Sequence, residues 1–168
     1  MNASFNIVRL NYDNPFHTKG IVGLLAEYAG DPAIGSPGLA EEAKGRLIDE
    51  MAKRPGVVAL LAVDGSSHSQ GQVVGAAICV ESFSTFAAKS VLNIHDIMVS
   101  KAFRGRGVGK LLIEAVEQLA IETDCAKITL EVYENNRVAR GLYEASGFGS
   151  LEAKAGLGQT YFLTKPIR

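Results

Sequence analysis

Arg104-Gly105-Arg106-Gly107-Val108-Gly109-Lys110 joins an apolar run at 91–100 (VLNIHDIMVS) to a strongly periodic segment. In that segment Val108, Leu111, Leu112, Ala115, Val116, Leu119 and Ala120 recur at the spacing of one face of an amphipathic helix. The order is therefore strand, glycine-rich turn, helix. Glycines let a backbone approach a ligand closely and leave amide N–H groups free. A helix start adds unpaired donors and the positive end of its dipole, so the turn suits a phosphate or diphosphate. Arg104, Arg106 and Lys110 add positive charge there, although a plain glycine turn with solvated basic residues has the same composition.

Two other phosphate motifs do not fit. A P-loop needs four residues between its first glycine and Gly-Lys, with Ser or Thr next. Gly105 and Gly109 are separated by only Arg106, Gly107 and Val108, and Leu111 follows Lys110. The dinucleotide fingerprint needs glycine where Lys110 stands.

Working outward, 128–132 (ITLEV) reads as the next strand and 137–145 as a short helix ended by Gly147. Toward the N-terminus, 73–80 (VVGAAICV) and 57–63 (VVALLAV) read as buried strands of a hairpin. Segments 16–28 and 39–53 carry helical stripes, and 6–12 reads as a first strand. Phe148 onward, with 159–163 (QTYFL), supplies closing strands. His68, in the loop 65–71, reads as solvent-exposed. The whole chain, 1–168, reads as one α/β domain.

Composition narrows the function. The chain has 168 residues, 47% of them hydrophobic and 21% charged, as in an ordinary globular domain. The net charge of −1 gives no reason to expect nucleic acid or anionic membrane as a partner. The first residues lack a basic and then apolar pattern, and no run approaches a spanning length. Cys79 and Cys125 read as reduced core residues, no metal set is present, and the expected location is cytoplasmic.

Arg104, Gly107 and Gly109 satisfy R-x-x-G-x-G. Downstream come Leu130-Glu131-Val132, then Asn136, Ala139, Leu142-Tyr143 and Gly147-Phe148, the pattern N-x-x-A-x-x-L-Y-x-x-x-G-F. Together the two blocks resemble the GNAT superfamily of CoA-dependent N-acetyltransferases. The resemblance is firm over 91–149, although the proline common soon after the first strand is absent from 99–103. It implies a mixed, mostly antiparallel central sheet flanked by helices, with acetyl-CoA bound at a splay between two parallel central strands. No metal is implied. It also implies that Arg104 to Lys110 (Arg104, Gly105, Arg106, Gly107, Val108, Gly109, Lys110) hold the diphosphate. Ile97, Met98 and Val99 would line the pantetheine arm, and a backbone N–H near Met98 would polarise the thioester; Asn136, starting the short helix, is either a plain N-cap or a cap that also touches the arm.

For catalysis the resemblance places Tyr143 beside the CoA sulfur, as donor to the departing thiolate. An amine with a pKa of about 10.4 arrives protonated and must lose a proton. Glu131 occupies a position used for a base in some family members. His95 and Asp96 interrupt an apolar run, and strict alternation puts them on opposite faces. The segment from 83–86 (FSTF) to Asp96 looks like the diamine and thialysine acetyltransferase branch, except that His95 replaces a glutamate. The expected acceptor is a small-molecule primary amine attacked in a ternary complex. A protein N-terminus or lysine is the alternative acceptor, and a non-catalytic acyl-CoA sensor is the alternative from another class. The closing strand leaves an edge available to a homodimer.

Overall fold

The apolar run at 57–63 becomes β2 (Val57–Asp64), where Ala59, Leu60, Leu61 and Ala62 are all buried. Successive strand residues face opposite sides, so a run buried without alternation needs cover on both faces. The computed structural model, which describes residues 5–31, 36–65, 71–149 and 165, supplies that cover.

Before β2 come β1 (Phe5–Arg9), α1 (Pro15–Ala29) and α2 (Glu41–Ala52). After it come β3 (Gln72–Ser84), β4 (Lys89–Val99), a 3₁₀ turn (Lys101–Phe103), α3 (Val108–Glu122), β5 (Lys127–Leu130) and α4 (Arg137–Ala145). The strands lie in the order β1-β2-β3-β4-β5. All neighbours are antiparallel except β4 and β5, which run parallel. This is the mixed, mostly antiparallel sheet that the resemblance implies.

Each face of the sheet carries its own core. On one side α3 lays Val108, Leu112 and Val116 over Leu60, Ala77, Leu92 and Ile94. On the other, Ile21 and Leu24 of α1 and Met51 of α2 cover Leu61, Ala76, Ile78 and Met98. Gly75 lets α3 come this close: a Cβ there would meet Val108 Cγ1 at 2.9 Å and the Met98 carbonyl oxygen at 3.1 Å. The start of α1 is fixed by Asn14, whose Oδ1 accepts from the Phe16 N–H at 3.0 Å, with Pro15 as the first helical residue.

Several boundaries differ from the sequence reading. β3 runs on to Ser84 and returns through a turn into β4, so the 83–86 segment forms the end of a second hairpin. β5 stops at Leu130 rather than continuing through Val132. Its parallel register covers only Val91↔Lys127 to Ile94↔Leu130, leaving the last five residues of β4 without a β5 partner. His68 and the closing strand at 159–163 lie outside the described residues. Among the described residues no helix is long and apolar enough to cross a membrane.

Candidate active site

The parting of β4 from β5 has a local cause. Along β3 and β4, Cys79 pairs with Ile94 and Ile78 with Asp96, so His95 is an extra, bulged residue. A bulge bends its strand and raises local twist. It falls where the β4–β5 register ends, and it also resets the alternation. Leu92 and Ile94, then Ile97 and Val99, face the α3 side. Asp96 therefore shares the α1 face with Met98. Simple alternation would have sent Asp96 to the other side.

The glycine turn closes one end of the opening. Gly105 and Gly107 have φ of 74° and 84°, left-handed values that favour glycine. Gly107 is the N-cap of α3 and supplies no side chain to it. The first amides of α3 therefore have neither an intrahelical nor a side-chain acceptor and point their dipoles out of the helix start. The donor set suits a diphosphate, with no Cβ at Gly107 to obstruct it.

At the opposite wall, Asn136 Oδ1 accepts from the Ala139 N–H at 3.2 Å and caps α4. Tyr143 projects from α4, only 8% exposed. Burial pushes its phenol up to about 12, with the neighbouring Tyr28 phenol adding to the effect.

These parts surround one cavity of about 490 Å³. Its walls are Ile97, Met98 and Val99 of β4, Arg104, Gly105 and residues 107–110 of the turn, and Asn136 and Tyr143. Val138, Ala139 and Leu142 of α4, Phe103, and Tyr28 and Asp31 at the end of α1 complete it.

Three candidates stand elsewhere. Arg106 is exposed and lies over the Phe103 ring, 5.0 Å from its centroid, instead of lining the cavity. Glu131 follows β5 rather than lying on it, is exposed and is not part of the wall. The strand placement expected for it fails because the bulge ends the pairing one residue earlier. Asp96 is not part of the wall and lies on the α1 face. Burial raises its pKa, opposed by the adjacent His95.

Tyr28, the last residue of the helical stripe at 16–28, joins the cavity wall. Its pKa is raised, chiefly by burial and then by the charges of Asp96, Tyr133 and Asp31. Tyr28 thus lines the cavity within electrostatic reach of Asp96, and it also influences Tyr143. The available signal was a hydroxyl at the end of an otherwise apolar stripe, since a buried tyrosine oxygen usually seeks a polar partner. Cys79 is fully buried and its thiol is pushed up to about 12 by burial, as befits a core residue.

Comparison with known proteins agrees with this architecture. Thialysine N-epsilon-acetyltransferase of Bos taurus is 32% identical over 84 residues, covering 50% of this chain and 49% of that protein. The chain thus spans about half the length of that curated relative. Among solved structures, a probable acetyltransferase superposes with a TM-score of 0.78 at 23% identity, covering 97% of this chain and 99% of the other. An aminoglycoside N-acetyltransferase in complex with CoA gives 0.74 at 19% identity, covering 99% and 98%. At such identities these two likenesses speak to the fold. The profile of the acetyltransferase (GNAT) family matches residues 40–148, from the start of α2 through α4, and the chain belongs to that family.

Proposed function

We propose that this chain transfers the acetyl group of acetyl-CoA to a primary amine of a small molecule, by direct attack in a ternary complex. The observation that carries this reading is the convergence, on one cavity, of an uncapped helix start, a strand edge left unpaired by its neighbour, and a buried phenol. Acetyl-CoA would supply an acyl group activated as a thioester.

The amides of residues 107–110 would hold its diphosphate. Residues 97–99 would pair with the amide-bearing arm as with an added strand. A backbone N–H near Met98 would stabilise charge developing on the carbonyl oxygen. Asn136 faces the same space.

Tyr143 would donate to the departing sulfur. Its phenol at about 12 and an alkyl thiol at about 8.5 make complete proton transfer uphill by roughly 5 kcal/mol. A hydrogen bond that strengthens as the C–S bond breaks avoids that uphill step. On the acceptor side, Asp96 would receive the amine's positive charge or its proton, with Tyr28 of the cavity wall within its electrostatic reach. Its direction of shift suits such a role: a carboxyl with a raised pKa is a stronger base than a solvated one.

The small-amine acceptor is supported by the relatives, named for thialysine and for aminoglycosides. The test is acetyl-CoA with a panel of diamines, lysine analogues, aminoglycosides and peptides with free N-termini, following thiol release. Small diamines or lysine analogues should be acetylated fastest. Activity confined to the peptides would move the assignment to a protein acceptor, and no amine-dependent thiol release would end the enzymatic reading.

A further inference from the structure

The C-terminal end of α1 carries acidic residues where helix physics disfavours them. Glu27 lies in the last turn and Asp31 just past the C-cap, Gly30. No basic residue occupies that last turn. Carboxylates are unfavourable at the negative end of a helix dipole, so partners elsewhere should account for them.

Both partners lie in the stretch that leads from β4 into the glycine turn. The Lys101 N–H donates to Glu27 Oε1 at 2.7 Å. Arg104 Nη2 donates to Asp31 Oδ2 at 2.9 Å, and the Asp31 side chain is only 12% exposed. Arg104 Nε donates in addition to the Val99 carbonyl at 3.1 Å. Arg104 therefore ties three things together: the end of α1, the end of β4, and the chain just before Gly105 and Gly107.

We propose that Asp31, assisted by Glu27, is a positioning residue for the diphosphate turn, acting through Arg104. The inference rests on the acetyl-CoA reading above. With its charge met by Asp31, the guanidinium acts as a brace that fixes where the turn leaves β4, and the turn's amides do the binding. The same contact fastens α1, whose Tyr28 lines the cavity, to the cofactor side. Cofactor grip and the acceptor wall then share one anchor.

The test is Asp31→Asn, which keeps the shape and removes the charge, alone and combined with Arg104→Gln. Calorimetry should give a Kd for acetyl-CoA roughly tenfold weaker for Asp31→Asn, with kcat at saturating cofactor within about twofold. In the Arg104→Gln background the further change should be under about twofold, since the brace is already gone. Asp31→Glu should recover part of the loss. In the protein without cofactor, exchange at the Phe103 and Leu111 amides, which donate to the Ser100 and Gly107 carbonyls on either side of the glycines, should quicken in Asp31→Asn, a readout independent of any bound ligand.

Unchanged exchange would overturn the positioning role even if the acetyl-CoA reading stands. So would an equal loss in both backgrounds, or tighter binding by Asp31→Asn, which would mean that Asp31 merely competes with the diphosphate for Arg104. Should Asp31→Asn fold poorly, exchange at the same amides in Arg104→Gln carries the test, and unchanged rates there count against it. Wild-type protein that binds no acetyl-CoA would instead remove the underlying reading, and this inference with it.

Discussion

The Tyr143 ring meets Phe148 edge to face, with centroids 5.9 Å apart and planes at 62°, while the Phe148 N–H donates to the Tyr143 carbonyl at 2.9 Å. Ring packing and a backbone bond, neither involving the hydroxyl, hold this side chain in place. Tyr143→Phe should therefore fold with little change in melting temperature. Its kcat should fall about 10² to 10⁴-fold, or roughly 2.7–5.5 kcal/mol of barrier, while the Kd for acetyl-CoA stays within about twofold. Because the phenol is pushed up to about 12, wild-type activity should show no loss from its ionisation near pH 10. A Phe variant with near wild-type kcat, under conditions where chemistry limits turnover, removes Tyr143 from the reaction.

Gly107 has φ of 84° at the start of α3. A left-handed conformation costs a residue with a Cβ about 1–2 kcal/mol, and valine is stiffer still. Gly107→Val should lower the melting temperature and turn the first amides of α3 away from their common focus. Wild-type protein should gain roughly 2.7 kcal/mol at a cofactor concentration of about 100 times Kd. The variant should show no such thermal shift. Gly141→Ala in α4 is the control: an added Cβ meets nothing within 4 Å, and the change should stabilise by roughly 0.5–1 kcal/mol. A cofactor-dependent shift retained by Gly107→Val would show that the turn does not hold the diphosphate.

Asp96 offers a pH test whose sign is set by burial. Its folded pKa lies above the unfolded value of about 3.9, so the fold prefers the protonated carboxyl. Stability from this group is intact below about pH 3.9 and declines as pH rises through the folded pKa. Asp96→Asn should accordingly melt no lower than wild type at pH 7, with any advantage vanishing toward pH 3.5. Over the same range kcat/KM for the best diamine should fall at least tenfold. Preserved kcat/KM would make Asp96 structural and remove the acceptor-side role.

Much of this molecule was legible because its elements obey simple periods. The stripe from Val108 to Ala120 and the unalternating run of β2 needed no knowledge of their neighbours. The turn was equally plain, since glycine at positive φ is a local requirement. What escaped was relational. One inserted residue, His95, moved Asp96 to the α1 face and ended β5 before Glu131. Nothing in HDIMV marks a bulge, because it arises from the register with β3. Asp31 and Glu27 carry no local signal for a similar reason: their partners are 73 and 74 positions away. Arg106 belonged to a legible motif, yet its side chain turns to Phe103.

Glu131 separates a role inferred from motif position from one inferred from geometry. Its motif position matches that of a base, but here it follows the end of β5, exposed, with the cavity wall formed by other residues. A base must reach the amine proton directly or through one water, and an exposed glutamate beyond the strand end has no fixed path to it. Glu131→Gln removes the basic oxygen with little change in size. It should leave kcat/KM within about twofold at pH 7, with the acidic limb of the pH profile unmoved. Asp96→Asn measured alongside should shift or abolish that limb if Asp96 takes the proton. A drop of tenfold or more in Glu131→Gln, together with loss of the acidic limb, would return the base to Glu131 and require the chain after Leu130 to move toward the cavity when substrates bind.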